Sequence, residues 1–250
     1  MLIRPMEIIK QSLKLYQEKW RDFLPYLILL LVPYIAIATI SIVSLYLSVI
    51  ISSSKFISSL IVLAVFVLSM LFSLWVSISL VQLIHKFLND KKTQPINWKE
   101  LLGSNSHLMW PVIWTSAIAI LIIIGGTILF IIPGIIFSIW YAFVSYEVVL
   151  ENKKGMEALA KSKELVKGRW FGIVYRLFAP ALIFIIAIII VESATEYFLL
   201  FFLERGLWMS VTTGFLNSLF NVIITPLTTT AVIILYMNAK KNPVETKQKE

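Results

Sequence analysis

The chain has 250 residues, 59% of them hydrophobic and only 14% charged, with a formal net charge of +8. A soluble domain of this length carries about 25% charged residues. The apolar surplus therefore calls for lipid as solvent and excludes a water-soluble globule. The absence of cysteine excludes disulfide and thiol chemistry.

Residues 4–22 alternate lysines with Ile8, Ile9, Leu13, Leu15, Tyr16 and Trp20, the pattern of an amphipathic helix lying among headgroups. This basic stretch comes before the first long apolar run, so it does not read as a secretory leader. Span 1 is expected over about 23–52, with a kink at Pro33, and span 2 over about 60–84 after a short loop holding Lys55. A polar connection follows, ending in a second interfacial segment near 95–108.

Spans 3 and 4 are expected over about 110–132 and 133–150, with Gly125-Gly126 interrupting the first and Pro133 in the first turn of the second. Their junction carries no charge, so it is either a tight hairpin or a re-entrant loop. A third basic interfacial helix is expected over 154–168. Spans 5 and 6 follow over about 170–191 and 207–237, the latter tilted or broken near Thr225-Pro226. Residues 239–250 form a charged tail.

Of the 22 lysines and arginines, 19 fall in the N-terminal segment, the 85–109 connection, the 151–169 connection and the tail. Basic residues are retained on the cytoplasmic side, so both termini are placed there and the number of spans is even. The resulting expectation is an all-α integral membrane bundle of six transmembrane helices in three hairpins. It is a single domain over 1–238, in a bacterial plasma membrane. The positive charge follows from this layout and implies no nucleic-acid partner.

Residues 6–20 and 156–170 share Met6/Met156, Glu7/Glu157, Ser12/Ser162, Leu15/Leu165 and Trp20/Trp170 without a gap. Each precedes a span, which suggests a repeated unit of interfacial helix plus hairpin. Two basic helices doing one job at one interface would also look alike. Asn97–Trp110 occupies the same place before span 3 but matches poorly.

Hydrolytic or metal chemistry needs paired acids and bases or a ligand cluster. Asp22, Asp90, His85 and His107 form no such pair at helical spacing, and no Gly-Lys-Ser/Thr follows Gly125-Gly126. Neither an enzyme nor a cofactor is expected. Glu147 and Arg176 are the ionisable residues inside apolar runs, at matched depth, and so are candidates for an intramembrane charge pair or a headgroup site. Thr213, Asn217, Asn221, Thr225 and Thr229 recur every four residues along span 6, as a packing stripe or a polar path. Lys153, Lys154, Lys161, Lys163, Lys167 and Arg169 are candidate contacts for anionic lipid. Membrane lipids with anionic headgroups are the expected partners, and a protein partner or homo-oligomer stays open.

Ile132-Pro133-Gly134, Val148–Glu151, Ala158-Leu159, Ser162 and Leu165–Trp170 lie in a stretch that resembles the membrane domain associated with bacterial glycerophosphoryl diester phosphodiesterases. The likeness covers about 45 residues closely and the six-span layout loosely. It implies a multi-pass membrane protein. The soluble catalytic domain fused to some members has no counterpart in these residues, so no activity carries over. Two functions are open: a lipid-interacting scaffold or accessory protein of lipid or envelope metabolism, and a transporter or channel for a small solute or lipid-derived molecule.

Overall fold

The computed structural model describes residues 2–50, 55–89 and 97–243, and these are all-α. Their α-helices are α1 (Pro5–Ile50), α2 (Lys55–Asn89), α3 (Trp98–Ser104), α4 (Met109–Leu129), α5 (Ile131–Trp140), α6 (Val144–Glu151), α7 (Gly155–Val166), α8 (Trp170–Leu199) and α9 (Leu207–Lys241). A 3-10 turn, Ser106–Leu108, joins α3 to α4. Residues 51–54, 90–96 and the tail beyond 243 lie outside the described residues, and with them the first loop and part of the second interfacial segment.

Among the described residues six stretches are long and apolar enough to cross a membrane: 5–43, 59–89, 98–129, 131–151, 170–199 and 207–241. Helix is the form such runs must take, because hydrocarbon offers backbone groups no partner outside the segment. Helix α1 pairs with α2, α4 with α5 and α6, and α8 with α9, so the chain is three consecutive hairpins.

Several boundaries differ from expectation. The break in α1 falls at Lys19 (φ −118°, ψ 18°), where the interfacial segment turns into the span, and not at Pro33. Helix α4 runs through Gly125-Gly126 and stops at Phe130, an extended residue. Span 4 is not one helix: Tyr141–Phe143 form a turn between α5 and α6. Helix α9 continues past Pro226 without a break. Residues 85–89 extend α2, and residues 192–199 extend α8.

The repeat is larger in three dimensions than in sequence. Lys99–Asn105 carries the same burial order as Met6–Ser12 and Met156–Ser162: two exposed residues, two buried, two exposed, one buried. The second position is Glu7, Glu100 or Glu157, each in the first turn of its helix, where a carboxylate meets the positive end of the dipole. The paired buried positions are Ile8-Ile9, Leu101-Leu102 and Ala158-Leu159. The last is a buried polar residue, Ser12, Asn105 or Ser162. The first and third copies agree further: Glu7 N–H bonds Arg4 O as Glu157 N–H bonds Lys154 O. Lys19 and Arg169, each just before a tryptophan, also share one backbone region (φ −118°, ψ 18° and φ −141°, ψ 29°).

Each interfacial segment docks on the hairpin before its own, taken cyclically. Leu101 and Leu102 join the core of the first hairpin with Phe23, Leu80, Leu83 and Ile84. Leu159 packs with Ala119 and Val144 of the second. Ile8 and Ile9 join Ile173, Leu235 and Ala239 of the third. The exchange closes a ring, and it brings all three interfacial segments to one end of the bundle. That end is called the basic end here. The second and third interfacial segments were expected over 95–108 and 154–168; α3 and α7 occupy the helical cores of those ranges.

Candidate functional site at the basic end

The N-terminal segment and the end of α9 meet at this end. Ile3 N–H donates to Asn238 Oδ1 at 3.0 Å. Arg176, one and a half turns into α8, donates from Nε to Ile3 O at 2.5 Å and from Nη2 to Leu2 O at 3.3 Å. Its Nη1 also bonds Gly172 O, 2.9 Å away on its own helix. Arg176 therefore clamps the entering chain. It does not pair with Glu147, as the matched depth had suggested.

Glu147 is 3% exposed. Its Oε1 accepts from the Tyr236 hydroxyl at 3.2 Å, across from α6 to α9. Tyr236 stacks on Tyr146, centroids 5.8 Å apart, so the carboxylate sits under an aromatic cover. The direction each side chain faces was not readable from sequence. The two charges take separate partners, and among the described residues no salt bridge joins them.

Arg169 was expected to face lipid. Instead its guanidinium turns inward: Nη2 donates to Ala239 O at 2.6 Å, Nη1 to Asn242 O, and Nε to Leu165 O at 2.8 Å. The last carbonyls of a helix have no intrahelical donor, and here one planar guanidinium serves two of them. Burial lowers the pKa of Arg169 from its ordinary value, and the carbonyl bonds hold its charge in place. Lys240 pairs with Glu151, tying the same end of α9 to α6.

Helix α7 is held by its buried face. Ser162 Oγ donates to Trp140 O at 2.7 Å and accepts the Phe143 N–H at 3.2 Å. These are groups freed by the turn between α5 and α6. Gly155 N–H, at a positive φ of 53°, bonds Thr115 Oγ1 at 2.9 Å. The opposite face is basic. Lys161 bonds Glu164 at 2.8 Å, which raises the lysine pKa. Lys153 lies 3.7 Å from Glu157. Lys163 Nζ sits 4.1 Å from the Trp140 ring centroid, a cation–π distance. Lys154 and Lys167 are exposed and have no acidic partner among the described residues.

The stripe on α9 is mostly spent on α9 itself. Thr213, Thr225 and Thr229 donate to the carbonyls of Met209, Asn221 and Thr225, four residues back. Asn221 donates across to Glu192 of α8 at 2.9 Å and to Asn217 O at 2.8 Å. Asn217 Oδ1 is buried without a donor. No group of three or more metal-ligating side chains occurs among the described residues.

Residues 99–248 match the family model described as "Domain of unknown function (DUF8558)". The chain belongs to the DUF8558 family. No curated protein and no solved structure matches it. The DUF8558 match opens at Lys99, the first residue of the middle interfacial repeat, and takes in the second and third hairpins with their interfacial helices. The DUF8558 description names no function, and it does not name the glycerophosphoryl diester phosphodiesterase membrane domain that Ile131–Arg176 resembles.

Proposed function

We propose that this DUF8558 protein is a non-enzymatic multi-pass membrane scaffold that gathers anionic phospholipid at its basic end. One observation carries the reading. Three amphipathic segments share that end, each with its central apolar pair buried against a neighbouring hairpin, which leaves the exposed lysines to meet headgroups. A scaffold presents such a surface permanently. By the distribution of basic residues, the basic end faces the cytoplasm of a bacterial cell. The partial likeness to the phosphodiesterase-associated membrane domain supports a place beside lipid or envelope metabolism, with any protein partner or second copy bound in that setting.

A transport reading draws on the Glu192–Asn221 bond and the unpaired Asn217 Oδ1. It is weaker because Arg176, Arg169 and Glu147 are each engaged by the protein's own groups.

The test is lipid retention. The protein is taken from nanodiscs of equal phosphatidylglycerol and phosphatidylcholine into native mass spectrometry. Retained phosphatidylglycerol should exceed phosphatidylcholine severalfold. Replacing Lys154, Lys163 and Lys167 by glutamine should remove most of that excess, since each near-surface cation is worth about 1 kcal/mol toward anionic lipid. Equal retention of the two lipids by the wild-type protein overturns the reading.

A further inference from the structure

We propose that the α4–α5 hairpin is re-entrant: it enters from the basic end, and its apolar tip stays among the acyl chains without reaching the far aqueous phase. The proposal rests on α7 lying at the polar boundary and does not require any lipid preference.

The tip is Ile128, Leu129, Phe130, Ile131 and Ile132, each 70–79% exposed. The other two turns between spans carry charge. The third hairpin turns through exposed Phe201 and Phe202 but then through exposed Glu204 and Arg205, and the first carries Ser52, Ser53, Ser54 and Lys55 in its sequence. Five consecutive bulky apolar side chains in water would forfeit several kcal/mol of burial; in hydrocarbon they forfeit nothing.

The depth can be measured from α7. Its lysines cannot sit in hydrocarbon, so α7 marks the polar boundary. Along α4 this helix docks at Thr115, and along α5 at Trp140. From Thr115 to Phe130 the rise is about 22 Å, and from Trp140 to Phe130 about 15 Å. A hydrocarbon core is about 30 Å thick. The tip therefore ends inside it. Helix α8 starts three residues after Lys167, at the same boundary, and its 30 residues rise about 45 Å. The neighbouring hairpins pass the tip and the second hairpin does not.

The turn also satisfies some of its own backbone groups. Phe130 N–H bonds Gly126 O at 3.0 Å and Gly134 N–H reaches Phe130 O at 3.5 Å, while Pro133 has no N–H to leave unpaired. Turning through a single residue presses α4 on α5. A Cβ on Gly134 would stand 2.9 Å from Thr127 Cα, so only glycine fits. Six helices and three interfacial segments thus occupy the leaflet at the basic end, against four helices in the other. The bundle is a wedge, which suits a membrane-shaping scaffold.

The cysteine-free chain makes the test direct. Phe130→Cys, Glu204→Cys and Lys154→Cys are reconstituted separately, and a membrane-impermeant maleimide is added to one or the other side. Cys at 204 and at 154 should label from opposite sides. Cys at 130 should label from neither, and should label fully in denaturing detergent, which shows that the thiol is present and intact. Labelling of position 130 from the side that labels position 204, at a comparable rate, overturns the proposal. So does labelling from the side of position 154, which would mean that the hairpin is not inserted. Neither result bears on lipid retention, so the two readings fail separately.

Discussion

Ser162 Oγ stands 3.2 Å from the Phe143 amide nitrogen and 2.7 Å from the Trp140 carbonyl oxygen, so one hydroxyl fills the gap where span 4 stops being helical. Phe143 is fully buried and Trp140 half-buried. The same repeat position in the first copy, Ser12, bonds only Ile9 O of its own helix.

Ser162→Ala should therefore cost about 1–3 kcal/mol, because it leaves a buried donor and a half-buried acceptor unmet. Ser12→Ala should cost clearly less, since the Ile9 carbonyl keeps its helical partner. Thermal unfolding in detergent micelles compares the two. Equal midpoints for both variants would contradict a stitching role for Ser162.

Arg169 closes the end of α9 through the carbonyls of Ala239 and Asn242. Arg169→Lys keeps the charge but loses the fork, and an ammonium is a point donor on a flexible stem. The last turn of α9 should fray, with amide exchange over residues 236–242 rising about tenfold, as expected for the loss of one or two charge-assisted bonds. Exchange in α2 should not change.

Glycines of α4 and α5 divide by what surrounds them. A Cβ on Gly134 would meet Thr127 Oγ1 at 2.0 Å, and one on Gly126 would meet the Phe137 ring at 2.6 Å, whereas one on Gly125 meets nothing within 4 Å. Gly134→Ala should destabilise by about 1–3 kcal/mol through overpacking. Gly125→Ala should be neutral or gain up to about 1 kcal/mol of helix propensity. Unfolding midpoints of the two variants, one helix apart in the same hairpin, check the pair.

Part of this was legible in the residues. Six apolar runs, the basic segments beside them and the Met6/Met156 repeat are visible because length, charge and spacing act locally. The third copy was hidden by its length. Glu7 and Glu157 lie thirteen residues before Trp20 and Trp170, but Glu100 lies ten before Trp110. Alignment on the tryptophan therefore slides Leu101-Leu102 and Asn105 out of register with Ile8-Ile9 and Ser12.

Glu147 and Arg176 show the other limit. Their shared depth is an expectation from counting residues. Their partners depend on rotation about two helix axes, which is set by packing: Glu147 turns to Tyr236 and Arg176 to the carbonyls of Leu2 and Ile3. Arg169 is similar. Nothing near it in the chain shows that the end of α9, some seventy residues later, supplies its acceptors.

By itself, the sequence determined that this is a helical membrane protein with its basic residues flanking the spans. An apolar run of twenty residues has one low-energy home, and a lysine beside it has one tolerable side. Only the tertiary structure decided that each interfacial helix leaves its own hairpin for the previous one, and that span 4 breaks where Ser162 can mend it. Those outcomes depend on side chains far apart in the chain competing for the same buried partners, and no local pattern records who wins.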